Sequence, residues 1–240
     1  MDSYLALIIV AVLFGAILQV GIGIGFSILV GPPAMIFLGT SVAVPILLLL
    51  NTIVSLVATD WKTLNIDRRV ILTSVVGCLI GIGLGRLTYS LLSEPAVLGI
   101  TATLLLIGAL TSFFTIRVKT NGFVTVSGLS GLAAVWAATP GPLMVFGLLA
   151  LGRPPSEVRR LVQPIALVAY GVSLLLYGMN GWQVITQAPA IVIFVIATIL
   201  GSLIGRIVGP HLPHVVIINT VRVISVFACI LLYQRAFNLL

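Results

Sequence analysis

Acidic side chains are scarce in this 240-residue chain, and none falls inside an apolar run. The five are Asp2, Asp60, Asp67, Glu94 and Glu157, at the start of the chain or between apolar segments. Without a buried carboxylate there is nothing to relay protons or to hold Na⁺, which counts against cation transport and carboxylate-based proton coupling. Lysine is missing from the apolar runs as well. No His/Asp/Glu cluster or activated nucleophile can be assembled, so an intramembrane enzyme is not expected. Cys78 and Cys229 have no second Cys or His at ligand spacing, which excludes an obvious disulfide or metal site. No cofactor is expected. His211 and His214 share one short interfacial turn and read as structural.

Charged residues make up only 7% of the chain and hydrophobic residues 60%, whereas a soluble domain carries about 25% charged residues. The composition therefore predicts an all-α integral membrane protein with no separate soluble domain. The net charge of +7 would suggest nucleic acid in a soluble protein. Here the basic residues are read as markers of cytoplasmic loops. The expected partners are the lipid bilayer and a small anionic substrate, with no nucleic acid; a homodimer is compatible with the sequence. Asp2 stands where a secretory signal would carry basic residues, so residues 4–20 read as mature membrane sequence.

Two apolar stretches are interrupted alike. Residues 3–59 lack Asp, Glu, Lys and Arg but contain Gly21-Ile22-Gly23-Ile24-Gly25 and Gly31-Pro32-Pro33. Residues 120–152 lack them too and contain Thr139-Pro140-Gly141-Pro142. Backbone groups freed by such breaks find no water in hydrocarbon, and paired breaks in two halves of a chain point to a transporter binding site. The remaining apolar segments read as spans over 41–59, 70–92, 96–116, 161–180, 188–210 and 214–235, with broken elements over 4–38 and 122–151 and basic loops at 60–69, 117–121 and 152–160.

Two topologies compete. If all eight elements cross once, Lys62, Arg68, Arg69, Arg117, Lys119 and Arg235 share one side, and Arg153, Arg159 and Arg160 the other. If each broken element is a re-entrant hairpin, the first five of those residues join the latter three on one side and Arg235 alone is opposite. The positive-inside rule favours the second arrangement. The arms 4–20 and 26–38, about 25 and 20 Å long, are also short for a core of ~30 Å. A single kinked crossing is the alternative.

The halves repeat in order. Gly81-x3-Gly85-Arg86 recurs as Gly201-x3-Gly205-Arg206, and Pro45, Pro95 and Gly25 recur as Pro164, Pro213 and Gly141. The sequence thus predicts two inverted repeats of about four helical elements, 1–119 and 120–240, in one membrane domain, each repeat opening with a broken, re-entrant hairpin. For Gly81, Gly85, Gly201 and Gly205 close helix packing is the simpler explanation. A dinucleotide site at Gly21–Gly25 is excluded, because no βαβ unit surrounds it.

The candidate anion site is built from the breaks. It includes Gly21, Gly23 and Gly25 with Phe26 and Ser27 in the first half, and Thr139, Pro140, Gly141 and Pro142 in the second. Proline suits the first turn of a helix, Thr139 is placed to cap the helix that follows, and free N–H groups at a mid-membrane helix start bind oxyanions. Gln19, Asn51 and Gln163 add uncharged donors, with interhelical hydrogen bonding as their simpler role. Arg222, about 12 Å inside its span, is a further candidate. Arg86 and Arg206 stand behind this set, close enough to span ends to reach the interface.

These motifs resemble the sulfite exporter TauE/SafE family, also called the 4-toluene sulfonate uptake permease family. The resemblance is carried by Gly21-Ile22-Gly23-Ile24-Gly25-Phe26 running to Pro32, then Gly39-Thr40-Ser41, then Gly81-x3-Gly85-Arg86. In the second half it is carried by Ala138-Thr139-Pro140-Gly141-Pro142, Gly152-Arg153-Pro154-Pro155 and Gly201-x3-Gly205-Arg206. Ile22 and Ile24 interrupt the family's consecutive glycines, and Thr139-Pro140 replaces glycine, which bears on the substrate shape accepted. The resemblance implies export of sulfite, thiosulfate or an organosulfonate such as sulfoacetate, by alternating access in a bacterial inner membrane. Carriage of another small anion such as a carboxylate, or a non-transporting scaffold subunit, are the alternatives.

Overall fold

The computed structural model describes residues 3–23, 25–62, 67–110, 120–179, 181–186, 188, 190–208 and 214–237. Among them there is no strand. The helices are α1 (Ser3–Ile22), α2 (Phe26–Leu38), α3 (Thr40–Ala58), α4 (Arg68–Thr88) with a 3₁₀ turn at Tyr89–Leu91, and α5 (Glu94–Leu110). They continue as α6 (Thr120–Ala137), α7 (Gly141–Ala150), α8 (Pro155–Gly178), a short α9 (Gln183–Thr186), α10 (Ile191–Val208) and α11 (His214–Ala236). Among the described residues, five segments are long and apolar enough to cross a membrane: 3–21, 40–58, 68–91, 155–178 and 191–208. Helix is what hydrocarbon demands of an apolar chain, since each peptide group then finds its partner within the segment.

The two interruptions are shorter than the sequence suggests. Gly21 stays in the last turn of α1, which lengthens the first arm to 20 residues, about 30 Å. That arm is therefore of span length, while α2 with 13 residues reaches only about 20 Å. Pro32 and Pro33 lie inside α2 without ending it. The segment 152–160 is a loop only to Pro154; Pro155 opens α8, the position at which a missing N–H costs nothing, so Arg159 and Arg160 ride on a helix.

Both breaks are hairpin tips. The rings of Tyr4 and Phe37 stack with centroids 5.8 Å apart, so the start of α1 lies beside the end of α2. In the second half α7 folds back on α6: a Cβ added at Gly147 would lie 2.9 Å from Val126 and 3.1 Å from Phe123.

Helices of one half seat hairpins of the other. Gly77, Gly81 and Gly85 of α4 press on α6, where Gly128 and Gly131 face them so closely that an added Cβ at Gly81 or Gly131 would overlap backbone. Gly201 and Gly205 of α10 press likewise on α1, with Leu13 O and Ile17 O 2.5 and 2.7 Å from the added Cβ. These are small-residue seams of the kind that let membrane helices approach. Other contacts also recur on exchanging the halves: α3 packs on α8, α5 packs on α11, and α4 with α8 is matched by α10 with α3. Thr52 of α3 and Gly171 of α8 meet, with Thr52 Cγ2 3.9 Å from a Cβ added at the glycine.

One end of the bundle gathers charge. Arg153 pairs with Asp67 at 2.6 Å and Arg160 with Asp60 at 3.3 Å. The segment after α3 and the segment between α7 and α8 therefore share that end.

Candidate functional site

The first break spans Gly23 to Gly25. Gly23 has φ 101° and Gly25 φ 136°, values that side-chain-bearing residues rarely adopt. Space also requires glycine at 23, because an added Cβ would sit 2.9 Å from Arg159 Cγ. Two buried amides close over the turn. The Gln163 amide donates to Gly23 O at 2.7 Å, and the Gln19 amide donates to Gly23 O at 3.3 Å and to Gln163 Oε1 at 3.4 Å. Gln19 Oε1 accepts from Phe26 N at 3.2 Å, so a neutral oxygen sits on the first N–H of α2.

The second break is turned by Ala138, at φ 51°. Its N–H still reaches Ala134 O, and Thr139 N reaches back to Ala133 O at 3.3 Å. Ser130 Oγ donates to Pro140 O at 2.7 Å and fixes the entry to α7. Thr139 does not cap that helix. The N-cap is Pro140, with no side-chain cap bond, because the left-handed turn at Ala138 puts Thr139 one residue too early. Thr139 Oγ1 is buried with no hydrogen-bond partner among the described residues. Beside it, a Cβ added at Gly141 meets nothing within 4 Å.

Ser27 joins the two breaks. Its Oγ lies 3.0 Å from Ala138 O, 3.2 Å from Asn51 Oδ1 and 3.1 Å from Tyr170 Oη. A serine hydroxyl has one proton, so two carbonyl oxygens compete for it, and the phenol is free to donate in return. Asn51 lies in α3 and Tyr170 in α8. All four residues are buried, with Asn51 1% and Tyr170 2% exposed. Helix α2 starts one residue before Ser27, and α7 starts three residues after Ala138. Two helix N-termini, each worth about half a positive charge, thus flank a cluster of hydroxyl and amide groups.

The family model described as sulfite exporter TauE/SafE matches residues 7–232. The chain belongs to the TauE/SafE family. No curated protein and no solved structure matches it. Membership, with the five apolar helices, makes this a multi-pass membrane transporter and points to sulfur anions as the class of cargo.

In this TauE/SafE protein the expected residues divide into groups. Gln19, Gly23, Gly25, Phe26 and Gln163 form the first turn and its amide clasp. Ser27 meets the second break at Ala138 O and joins Asn51 to it; Thr139, Pro140, Gly141 and Pro142 follow that turn. Gly21 is in α1 and outside the turn. Arg86 near the end of α4 is half-buried and Arg206 near the end of α10 is exposed; among the described residues neither reaches the cluster by a hydrogen bond or ion pair. Arg222 lies in α11, and its side chain is outside the described residues. Two members were not foreseen. Tyr170 lies among apolar residues of its span, and nothing local in the sequence marks its hydroxyl as a partner of Ser27 in α2. Arg159 reads as a loop charge, yet it donates to Val20 O at 3.3 Å and lines a cavity of about 330 Å³ together with Gly23 and Gln163.

Proposed function

We propose that this protein exports a small sulfur oxyanion or organosulfonate, such as sulfite or sulfoacetate, by alternating access. The observation that carries the reading is the 3.0 Å contact of Ser27 Oγ with Ala138 O, which unites the two interruptions in one buried cluster. That cluster offers hydroxyls, amides and helix N-termini, which bind oxyanions without fixed charge. A monoanion leaving an inside-negative cell gains about 2.3 kcal/mol per 100 mV, so export needs no coupling ion and no buried carboxylate.

The transport geometry belongs to the same proposal. Residues 1–119 and 120–240 are two inverted repeats, and each opens with a re-entrant hairpin. Support comes from the antiparallel arms of both hairpins, the exchanged glycine seams and the Thr52–Gly171 approach. The ion pairs Arg153–Asp67 and Arg160–Asp60 add to it, because the all-crossing arrangement would hold those segments at opposite ends. The basic end is then cytoplasmic in a bacterial inner membrane.

The test is flux from liposomes containing only this protein. Labelled sulfite and sulfoacetate are expected to leave loaded vesicles, and Tyr170→Phe is expected to slow them at least tenfold while the protein melts within a few degrees of the parent. Flux of dicarboxylates with none of either sulfur anion overturns the substrate class, and absence of any flux overturns the transporter reading.

A further inference from the structure

The cavity beside Gly23 carries a charge that the central cluster does not use. Its lining includes the exposed Asp60 and Arg160 and the buried Gly23 and Gln163. Three ionisable side chains line it: Asp60, Arg159 and Arg160. Asp60 and Arg160 pair with each other at 3.3 Å. Arg159 has no carboxylate partner among the described residues; it donates to Val20 O. The cavity lining therefore keeps one net positive charge, on Arg159. Ser156, one turn earlier on α8, adds a hydroxyl.

Arg159 is also held in place. Its stem packs against Gly23, so closely that a Cβ there would overlap it, and one guanidinium nitrogen is fixed on α1. A positioned guanidinium with free N–H groups is suited to a planar or tetrahedral oxyanion, whose oxygens it can meet in pairs. Between this charge and Ser27 stands the clasp of Gln19 and Gln163 on Gly23. An anion arriving in the cavity meets Arg159 first and the clasp second.

We propose that the cavity is a loading site for a sulfonate or sulfur oxyanion, with Arg159 as its binding residue. The anion rests there before the Gln163 amide leaves Gly23 O. The cargo class rests on the export reading above, whereas the site itself is testable without transport.

The test uses Ser156→Cys as a reporter, since Cys78 and Cys229 are buried at 0% and 5% exposure. Purified protein is treated with an uncharged polyethylene-glycol maleimide, and labelling is read by gel shift. Methanesulfonate and sulfate are the probes, because neither reacts with maleimides, and chloride at equal ionic strength is the reference. Either probe is expected to slow labelling at least threefold. Adding Arg159→Gln, or Arg159→Met if the first is not recovered folded, abolishes the slowing; Arg159→Lys retains at least half of it. In liposomes Arg159→Gln raises KM from the basic side at least fivefold and leaves kcat within twofold. Labelling that no probe slows, or slowing that survives loss of the charge, overturns the loading site. Slowing that depends on Arg159 in a protein without sulfur-anion flux keeps the site and overturns the export reading.

Discussion

Ser27 Oγ and Ala138 O are 3.0 Å apart although 111 positions separate them in the chain. Removing the hydroxyl leaves a buried carbonyl and the Asn51 amide oxygen without that donor, which costs about 1–3 kcal/mol. Ser27→Ala is expected to lower the melting temperature by several degrees and to cut flux at least tenfold. An unchanged melt with full flux sinks the claim that this contact organises the site.

Glycine at the two hairpin tips answers to different constraints. Gly23 needs both its positive φ and its missing side chain, and non-glycine residues at such backbone angles cost of order 1–3 kcal/mol before any clash. Gly23→Ala should therefore accumulate poorly or melt early. Gly141 is at the start of α7 with open space around its Cα, so Gly141→Ala should fold as the parent does. Gly141→Leu fills that space and is expected to fold yet lose transport. Equal melts for Gly23→Ala and Gly141→Ala would contradict this distinction.

The seam between α4 and α6 gives a third test. Gly81→Ala forces backbone apart at Gly128, whereas Gly83 on the outer face of the same helix has nothing within 4 Å. Gly83→Ala gains helix propensity of about 1 kcal/mol and should melt no lower than the parent. Gly81→Ala should melt markedly lower or fail to accumulate. Thermal denaturation of the two proteins in detergent measures the difference directly.

Arg153 and Asp67 decide orientation. Cysteines replacing both are expected to be joined by a bis-maleimide spacer and not by a direct disulfide, because the Arg153 side chain spans the gap to Asp67. In intact cells each single cysteine should resist a membrane-impermeant maleimide and react after permeabilisation. Labelling of the two from opposite sides would restore the arrangement in which every element crosses once.

Much of this architecture is legible in sequence where backbone chemistry is extreme. The breaks at Gly21–Gly25 and Thr139–Pro142 stand out because hydrocarbon punishes loose peptide groups, and the spacing of Gly81, Gly85, Gly201 and Gly205 announces close packing. Legibility stops where a role depends on distant neighbours. The hydroxyl of Tyr170 acquires meaning only because α2 and α8 cross, and nothing local distinguishes it from a core aromatic. Arg159 was obscured by a boundary, since Pro154-Pro155 resembles loop until Pro155 is placed at a helix start. Thr139 has the composition of a cap, but the left-handed turn at Ala138 shifts it out of register.

The exchange of glycine seams bears on which parts can move as a body. Helix α10 is locked to the hairpin α1–α2, and α4 to the hairpin α6–α7, through backbone contacts that leave no slack. The mechanical units are therefore mixed: each carries one hairpin from one half of the chain and one helix from the other. Under the alternating-access proposal these mixed units are the bodies that move against each other, and α3 packs on α8. It also follows that neither half, expressed alone, can cover its own glycine stripe, so the two must be made together for either to be stable.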